Sequence, residues 1–324
     1  MNVFIKLCDE RVEHMSDYII SCSSPCDLSA EHLKERNIHC SFFHFELGSK
    51  QYEDDLGKSI SYDEFYSAMA NGAMTKTSQP NSDELIESFK PFLEDGKDII
   101  YVCLSSGLSG TINSANIAKE ILAEQYPERK LYIVDSLGAS SGYGLLVDTM
   151  ADLRDGGMSI DELYKWATDN CLNMAHWFFT TDLTYFVRGG RISKTSGFVG
   201  GILGICPLLN VSNEGKLIPR SKIRTKAKVI QEIVKRMEET AENRLDYDKK
   251  CYISHSACYE DARKVADLIE EKFPKLNGKV LINNIGTTIG AHTGPGTVAL
   301  FIWGDKRVDK LILLIYGYSF HIFI

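Results

Sequence analysis

The sequence lacks the short motifs by which many enzymes handle nucleotides and metal ions. It has no Walker phosphate-binding sequence and no His-Glu-x-x-His zinc motif, so we expect no ATP chemistry by this chain alone. The run Gly294-Pro-Gly296-Thr-Val-Ala299 matches a dinucleotide fingerprint by letter, but it lies between two predicted strands, without the helix that must follow. We therefore expect no cofactor, no metal and no catalytic group of these kinds.

A secretion signal is also lacking, because Met1–Val12 has only a brief apolar patch followed by acidic residues. The nine cysteines are odd in number and irregularly spaced, which is typical of reduced thiols rather than a disulfide framework. Both features predict a cytoplasmic protein. Leu311–Ile324 is almost wholly apolar but shorter than the ~20 residues that span a bilayer, so membrane contact should be at most transient. The sequence leaves three roles open for this tail: packing on the core, adding an edge strand, or being foreign to the rest of the chain.

Charge is missing from Thr195–Asn213, whereas the longer stretch Tyr185–Lys228 has nine Lys and Arg residues against one acid, Glu214. The whole chain has net charge −8, which argues against nucleic-acid binding. A local positive field beside an apolar wall suits a ligand with an anionic head and an apolar tail. A buried helix or strand between solvated loops explains the same pattern equally well. The predicted wall residues are Phe198, Ile202, Leu203 and Ile205.

Strand, turn and helix alternate along the first half of the chain. Strands are predicted at 18–21, 39–46, 98–104 and 131–134, and a polar turn at 76–80. This alternation is typical of a mostly parallel sheet covered by helices. A capping box at Ser159 opens a helix to about Asn173, and we predict a domain boundary near there. We expect an N-terminal domain at 1–172, a C-terminal α/β domain at 173–306, and an apolar tail at 307–324.

The second half is predicted to hold strands at 176–181, 250–254, 279–283 and 298–303, with helices at 225–243 and 256–273. Gly286–Gly296 is predicted to be a turn of small residues, with His292 in a loop. A histidine among glycines in a loop is as often functional as structural.

Hydroxyl side chains and glycines recur at predicted turns after strands. Ser109 stands where the helix after Leu104 should begin, and a hydroxyl backed by free amides and the helix dipole can bind an anion. An ordinary N-cap, which contributes ~1 kcal/mol, explains the same serine without any function. The chain order of Ser109, then Asp135 or Asp182, then His292 also matches serine hydrolases, although Gly107-Leu-Ser109-Gly110 is an imperfect nucleophile elbow. A serine hydrolase acting on acyl esters therefore remains an alternative.

Five ordered blocks together resemble the DegV family of bacterial fatty-acid-binding proteins. The blocks are Lys76-Thr-Ser-Gln-Pro80, Leu104-Ser-Ser-Gly-Leu-Ser-Gly-Thr111, Val134-Asp-Ser136, Gly189-Gly-Arg-Ile-Ser-Lys194 and Ala291-His-Thr-Gly294. The resemblance covers about Tyr18 to Asp305. It implies a two-domain α/β fold, with a mixed sheet in the C-terminal domain and one fatty acid held between the domains.

The resemblance also implies roles for individual residues. Thr77 and Ser109 would bind the carboxylate of a long-chain fatty acid, His292 would assist, and Arg191 and Arg224 would contact the phosphorylated head group or dock a fatty-acid kinase subunit. The residues of the supporting turns would be Ser78, Ser105, Ser106 and Gly110. A lipid sensor without a kinase is a third hypothesis. The family usually has Asp-Ser-Thr after its first strand, whereas this chain has Ser23-Ser24-Pro25, which leaves the role of that turn open.

Overall fold

The computed structural model describes residues 18–193 and 204–308, and these residues form three β-sheets with helices between them. The strands in chain order are β1 (Tyr18–Ser23), β2 (Ile38–Ser41), β3 (His44–Leu47), β4 (Lys50–Glu53), β5 (Thr75–Ser78), β6 (Asp98–Cys103), β7 (Leu131–Asp135), β8 (Met174–Phe179), β9 (Ile205–Val211), β10 (Leu217–Arg224), β11 (Tyr252–His255), β12 (Leu281–Asn284) and β13 (Val298–Trp303). The α-helices are α1 (Ala30–Glu35), α2 (Tyr62–Ala70), α3 (Ser82–Glu94), α4 (Thr111–Gln125), α5 (Ser141–Asp155), α6 (Ile160–Asn170), α7 (Thr184–Arg188), α8 (Lys226–Thr240), α9 (Tyr259–Lys272) and α10 (Thr287–Thr293).

The first sheet is parallel throughout, in the order β2-β1-β6-β7. Its central strands do not alternate between buried and exposed positions, since all six residues of β1 and five of the six in β6 are buried. Such strands need helices on both faces, because neither face can meet water. The predicted parallel, helix-covered sheet is therefore confirmed. The capping box predicted at Ser159 is also present, at the start of α6.

The second sheet is a small antiparallel one in the order β4-β3-β5, and it corrects two predictions. The single strand predicted at 39–46 is two strands in different sheets. The chain is diverted at Phe43, whose N–H donates to Ser24 Oγ at 3.1 Å and whose carbonyl accepts from the Asp54 N–H at 2.8 Å. The predicted turn at 76–80 is mostly strand β5, because Thr77 pairs with Phe45 on β3. Both departures depend on partners distant in sequence, which local pattern cannot show.

The third sheet is mixed, as predicted, in the order β10-β9-β8-β13-β11-β12. Its strand pairs are antiparallel except for β11 and β12. The turn predicted at 286–296 is wrong, since most of it forms α10, which ends at Gly294 with φ of +67°. His292 therefore lies on a helix rather than in a loop. Phe198, Ile202 and Leu203 lie outside the described residues.

Helix α5 packs between the first and third sheets, and eleven of its fifteen residues are buried. One apolar core contains side chains of both sheets, from Ile20 on β1 to Ile302 on β13. The predicted boundary at 172/173 falls in the 3₁₀ turn Cys171–Asn173, immediately before β8. No helix in the described ranges is long and apolar enough to cross a bilayer.

Candidate functional site

A cavity of about 390 Å³ lies where the three sheets meet. The second sheet contributes Thr77, the loop after β6 contributes Ser109, and α10 contributes His292. The structure therefore brings the three predicted head-group residues to one cavity. Its apolar wall comes from residues spread over the whole chain: Phe43, Leu104, Leu108, Ala139, Phe178, Phe186, Val211, Leu217, Ile285, Ile289, Ala299 and Phe301.

Thr77 and His292 are in direct contact, with 2.8 Å between Thr77 Oγ1 and His292 Nε2. The other ring nitrogen, Nδ1, lies 3.3 Å from Nη1 of Arg191. A guanidinium can only donate, so Nδ1 accepts and Nε2 carries the proton that it donates to Thr77. Burial, and secondarily the positive charge of Arg191, lowers the pKa of His292 to about 4, which keeps the ring neutral at pH 7. The Thr77 hydroxyl proton is thus left available for an acceptor in the cavity.

Arg191 places a positive charge beside the same cavity. Its guanidinium donates to the carbonyl of Gly189 at 2.6 Å and to that of Leu108 at 3.1 Å. Within the described ranges these partners are neutral and Arg191 forms no ion pair with a carboxylate, and burial lowers its pKa. A half-buried cation without a counter-ion favours an anion nearby. Arg191 therefore lies at the same end of the cavity as Thr77 and His292.

Ser109 lies next to the start of α4 but is not its N-cap, so the non-functional interpretation of this serine as an ordinary N-cap is wrong. The N-cap is Gly110, which also lines the cavity. Ser109 Oγ donates to Gln79 Oε1 at 3.0 Å and accepts from the Thr111 N–H at 3.3 Å. Gln79 in turn donates from Nε2 to Ser114 Oγ at 3.0 Å, so it orients the serine hydroxyl. Sequence analysis gave Gln79 no role, although it follows Thr77 by two residues.

The other predicted turn residues have different positions. Ser78 lines the cavity beside Thr77. Ser105 is buried and donates from Oγ to the Gly215 carbonyl at 2.9 Å, so it fixes the β9–β10 turn. Ser106 is exposed, and its N–H donates to Asp135 Oδ1 at 3.1 Å. Ser105 and Ser106 thus support the loop that presents Ser109 but are not among the lining residues.

Two further predicted residues lie away from the cavity. Ile205 pairs with Arg224 at one end of the β9–β10 hairpin, whereas the cavity-lining Val211 pairs with Leu217 at the other. Val211 is six positions further along β9 than Ile205, which corresponds to about 20 Å. Ile205 is therefore not among the described residues that line this cavity, and its role as a wall residue stays a prediction. Arg224 is exposed at the same far end of the hairpin.

The described residues do not form a hydrolase triad. His292 contacts Thr77 and Arg191, and its ring nitrogens have no carboxylate partner in the described ranges. Asp135 accepts from backbone N–H groups at Ser106 and Leu137, and Asp182 Oδ1 accepts from the Thr184 N–H. A triad needs the histidine between serine and acid, and this arrangement places it between a threonine and an arginine.

A pair of buried carboxylates holds the helix that carries His292. Asp27 accepts from the Gly286 N–H at 2.9 Å, and Asp54 accepts from the Thr287 hydroxyl at 2.7 Å. Asp27 also accepts from the Ser140 hydroxyl. Burial is the main cause that raises the pKa of each carboxyl, for Asp27 well above its usual range. The turn after β1, whose role the sequence left open, thus leads directly into Asp27, an anchor for α10.

Comparison with known proteins gives consistent results. The family model described as "Uncharacterised protein, DegV family" matches residues 19–305. A DegV domain-containing protein of Clostridium perfringens is 36% identical over 293 residues, which cover 90% of this chain and 99% of that protein. A stearic acid-binding protein from Eubacterium ventriosum aligns with a TM-score of 0.77 at 26% identity, over 88% of this chain and 97% of that one. The Fatty Acid Kinase (Fak) B3 protein of Streptococcus pneumoniae, loaded with linoleic acid, aligns with a TM-score of 0.76 at 23% identity, over 89% and 99%.

Proposed function

Because the chain belongs to the DegV family, we propose that it binds one long-chain fatty acid and presents the carboxylate to a partner kinase. The observation that carries the proposal is the composition of the cavity. Hydroxyl groups and a guanidinium that has no carboxylate partner among the described residues lie at one end, and most of the other lining side chains are apolar. A free fatty acid has the same division between its carboxylate and its tail.

The head group would be held by Thr77, Ser109 and Arg191, with His292 in support. Thr77 has a free hydroxyl proton, and Ser109 can turn its proton from Gln79 to the ligand. A buried carboxylate is costly unless it is hydrogen-bonded, and a nearby cation adds charge-assisted stabilisation. His292 is neutral and does not contribute a charge, so we assign it the role of orienting Thr77.

The apolar wall would provide most of the affinity. Burying a sixteen-carbon chain at ~0.8 kcal/mol per methylene gives roughly 12 kcal/mol before the costs of ordering the ligand. Hydrogen bonds to the head would then decide which end of the ligand lies at Thr77. On this proposal the chain is a carrier in the cytoplasm with no catalytic base, and ATP and metal come from the partner.

The proposed ligand is tested by purifying the protein, denaturing it and analysing the extract by lipid mass spectrometry. We expect a stoichiometric acyl chain in the wild-type protein. Delipidated protein should take up a long-chain fatty acid and should not take up the corresponding methyl ester to the same extent, because the ester lacks the charge that Arg191 stabilises. Wild-type protein free of lipid that also fails to bind added fatty acid would contradict the proposal.

The proposed kinase partnership is tested with the ATP-dependent subunit of a fatty-acid kinase and hydroxylamine, which traps an acyl phosphate. We expect product only when this protein supplies the fatty acid. Arg224→Glu should lower the rate about tenfold without loss of lipid, because Arg224 is exposed and far from the cavity. Lys165→Glu, the same charge change on α6, is the matched control. Equal rates for both variants would exclude Arg224 from docking, and no product at all would favour the lipid-sensor hypothesis.

A further inference from the structure

The cavity extends along two adjacent strands of the third sheet, away from the head-group end. The carboxyl end of β8 is followed in the chain by α7 and Arg191. β13 is antiparallel to β8 and follows α10, so β13 begins at the end of the sheet where β8 finishes. The lining residues of these strands alternate, as side chains on one face must: His176 and Phe178 on β8, and Thr297, Ala299 and Phe301 at and along β13. Thr297 to Phe301 spans four residues, or about 13 Å.

His176 and Phe301 form the last pair of lining residues in this direction. They are directly opposite in the β8–β13 register, and their ring centroids are 5.3 Å apart in an edge-to-face arrangement. Both side chains are buried, with 3% and 2% of their surface exposed. Together they close the end of the cavity remote from Thr77.

Both ring nitrogens of His176 have hydrogen-bond partners, which hold the imidazole in one orientation. Nδ1 lies 3.0 Å from the Met174 carbonyl, so this nitrogen carries the proton, and Nε2 accepts from the Ala139 N–H at 3.4 Å. Burial, with the charge of Arg307 second, lowers the pKa of His176 to about 3, so the ring is neutral. A rigid neutral ring is a firmer barrier than a flexible Leu or Met side chain in the same place.

Two glycines make room for this ring. A Cβ atom at Gly142 would lie 2.2 Å from His176 Nε2 and 2.7 Å from Phe301 Cδ1. A Cβ atom at Gly138 would lie 2.7 Å from His176 Nε2. The backbone at Gly138 and Gly142 therefore lies close against the ring and leaves it no room to move in that direction.

We propose that His176, backed by Phe301, sets the maximum length of the acyl chain that the cavity accepts. This inference rests on the proposed function, because it takes the ligand to be a fatty acid with its carboxylate at Thr77. The terminal methyl group of the longest accepted chain meets the face or edge of the imidazole. Chains with further methylenes would have to displace a ring that β8, Phe301 and two glycines hold in place.

The test uses His176→Ala and Phe301→Leu, with His39→Ala as the matched control. His39 is a half-buried strand histidine that packs on Phe92 and is not among the residues lining the cavity. Each variant is delipidated and offered equimolar pairs of saturated fatty acids that differ by two methylenes, and the bound ratio is read by mass spectrometry. We expect His176→Ala to shift the ratio about tenfold towards the longer acid, the factor for two methylenes moved from water into an apolar site.

Phe301→Leu should shift the ratio in the same direction by a smaller factor. If His176→Ala does not fold, this variant alone tests the proposed limit on chain length. An unchanged ratio in the folded variants, or an equal shift in His39→Ala, would overturn the inference while leaving lipid binding intact. Failure of the delipidated wild-type protein to bind any of the offered fatty acids would instead contradict the proposed function.

Discussion

Removing two hydroxyl groups, with Thr77→Val and Ser109→Ala, should weaken fatty-acid binding by about tenfold to a hundredfold for each site. A hydrogen bond to a charged group contributes ~1.5–3 kcal/mol, and both groups line the cavity at the end where Arg191 lies. Valine has nearly the shape of threonine, so the first change removes the hydroxyl without opening a space. The two changes together should exceed either alone, because the hydroxyls come from separate elements, β5 and the loop after β6.

Thr75→Val is the control for the first change. Thr75 lies on the same face of β5 as Thr77, and its hydroxyl donates to the Ala291 carbonyl on α10 at 3.2 Å. The control therefore also removes one hydrogen bond between β5 and α10, but outside the cavity lining. Isothermal titration of delipidated protein with a long-chain fatty acid should show near wild-type affinity for Thr75→Val. Similar losses in both variants would mean that Thr77 acts on the fold and not on the ligand.

The affinity for a neutral ligand shows whether the Thr77 hydroxyl contacts the head group of the ligand or its chain. A long-chain alcohol of equal length has the same tail but no charge, so Thr77→Val should reduce its binding much less than that of the acid. Equal losses for alcohol and acid would argue that the hydroxyl contacts the chain rather than the head group.

Local pattern was sufficient where a segment's own residues decide its structure. The continuous apolar run of β6 indicated a buried strand, and Ser159 with Glu162 indicated a helix start, because both depend on neighbours in sequence. Local pattern failed at 39–46, 76–80 and 286–296. In each of these segments a partner distant in sequence determines the structure. Ser24 and Asp54 bind the backbone of Phe43, β3 pairs with Thr77, and Asp27 and Asp54 hold the start of α10.

The candidate site shows the same limit. Resemblance and hydroxyl-rich turns identified Thr77, Ser109 and His292, but nothing in the sequence assigned Gln79 or His176 to the cavity. Gln79 acts through Ser109, and His176 lies in an ordinary apolar strand, where a histidine is most often a satisfied core residue. Apolar wall residues were predicted from one continuous stretch, whereas the described wall is assembled from strands of the third sheet, helices α7 and α10, and loops distant in sequence. Such an assembly requires the topology, which sequence spacing does not contain.

The second large effect is expected at Asp27, the carboxylate that holds the start of α10. Asp27→Ala should lower the free energy of unfolding by about 3 kcal/mol, because the Gly286 N–H and the Ser140 hydroxyl would lose a buried partner. Asp27→Asn keeps an acceptor for Gly286 and offers a donor to Ser140. We therefore expect the asparagine variant to fold with most of that stability, as measured by urea unfolding.

The dependence on pH distinguishes the charge from the hydrogen bonds. Burial raises the pKa of Asp27 well above its usual range, and the negative charge of Asp54 acts in the same direction. The folded protein therefore holds a proton on the Asp27 carboxyl more tightly than the unfolded chain does. The stability that this gives is fully present below the pKa of the carboxyl in the unfolded chain, about 3.9, and is lost as pH rises through its pKa in the folded protein. Asparagine has no proton to lose, so the variant should gain stability relative to wild type as pH rises through this window.

For Asp148→Asn we expect the stability relative to wild type to change with pH in the opposite direction. Burial opposes ionisation of Asp148, but hydrogen bonds from His32, Lys250 and Tyr252 outweigh it and lower the pKa of the carboxyl. Its stabilisation is present above the unfolded pKa and is lost as pH falls through the folded one, so the asparagine variant should be less stable than wild type at neutral pH. If Asp27→Asn instead lost stability in parallel with Asp148→Asn as pH rose, the Asp27 carboxyl would be ionised in the folded state. Helix α10 would then be held by a buried negative charge at Asp27 rather than by a protonated carboxyl.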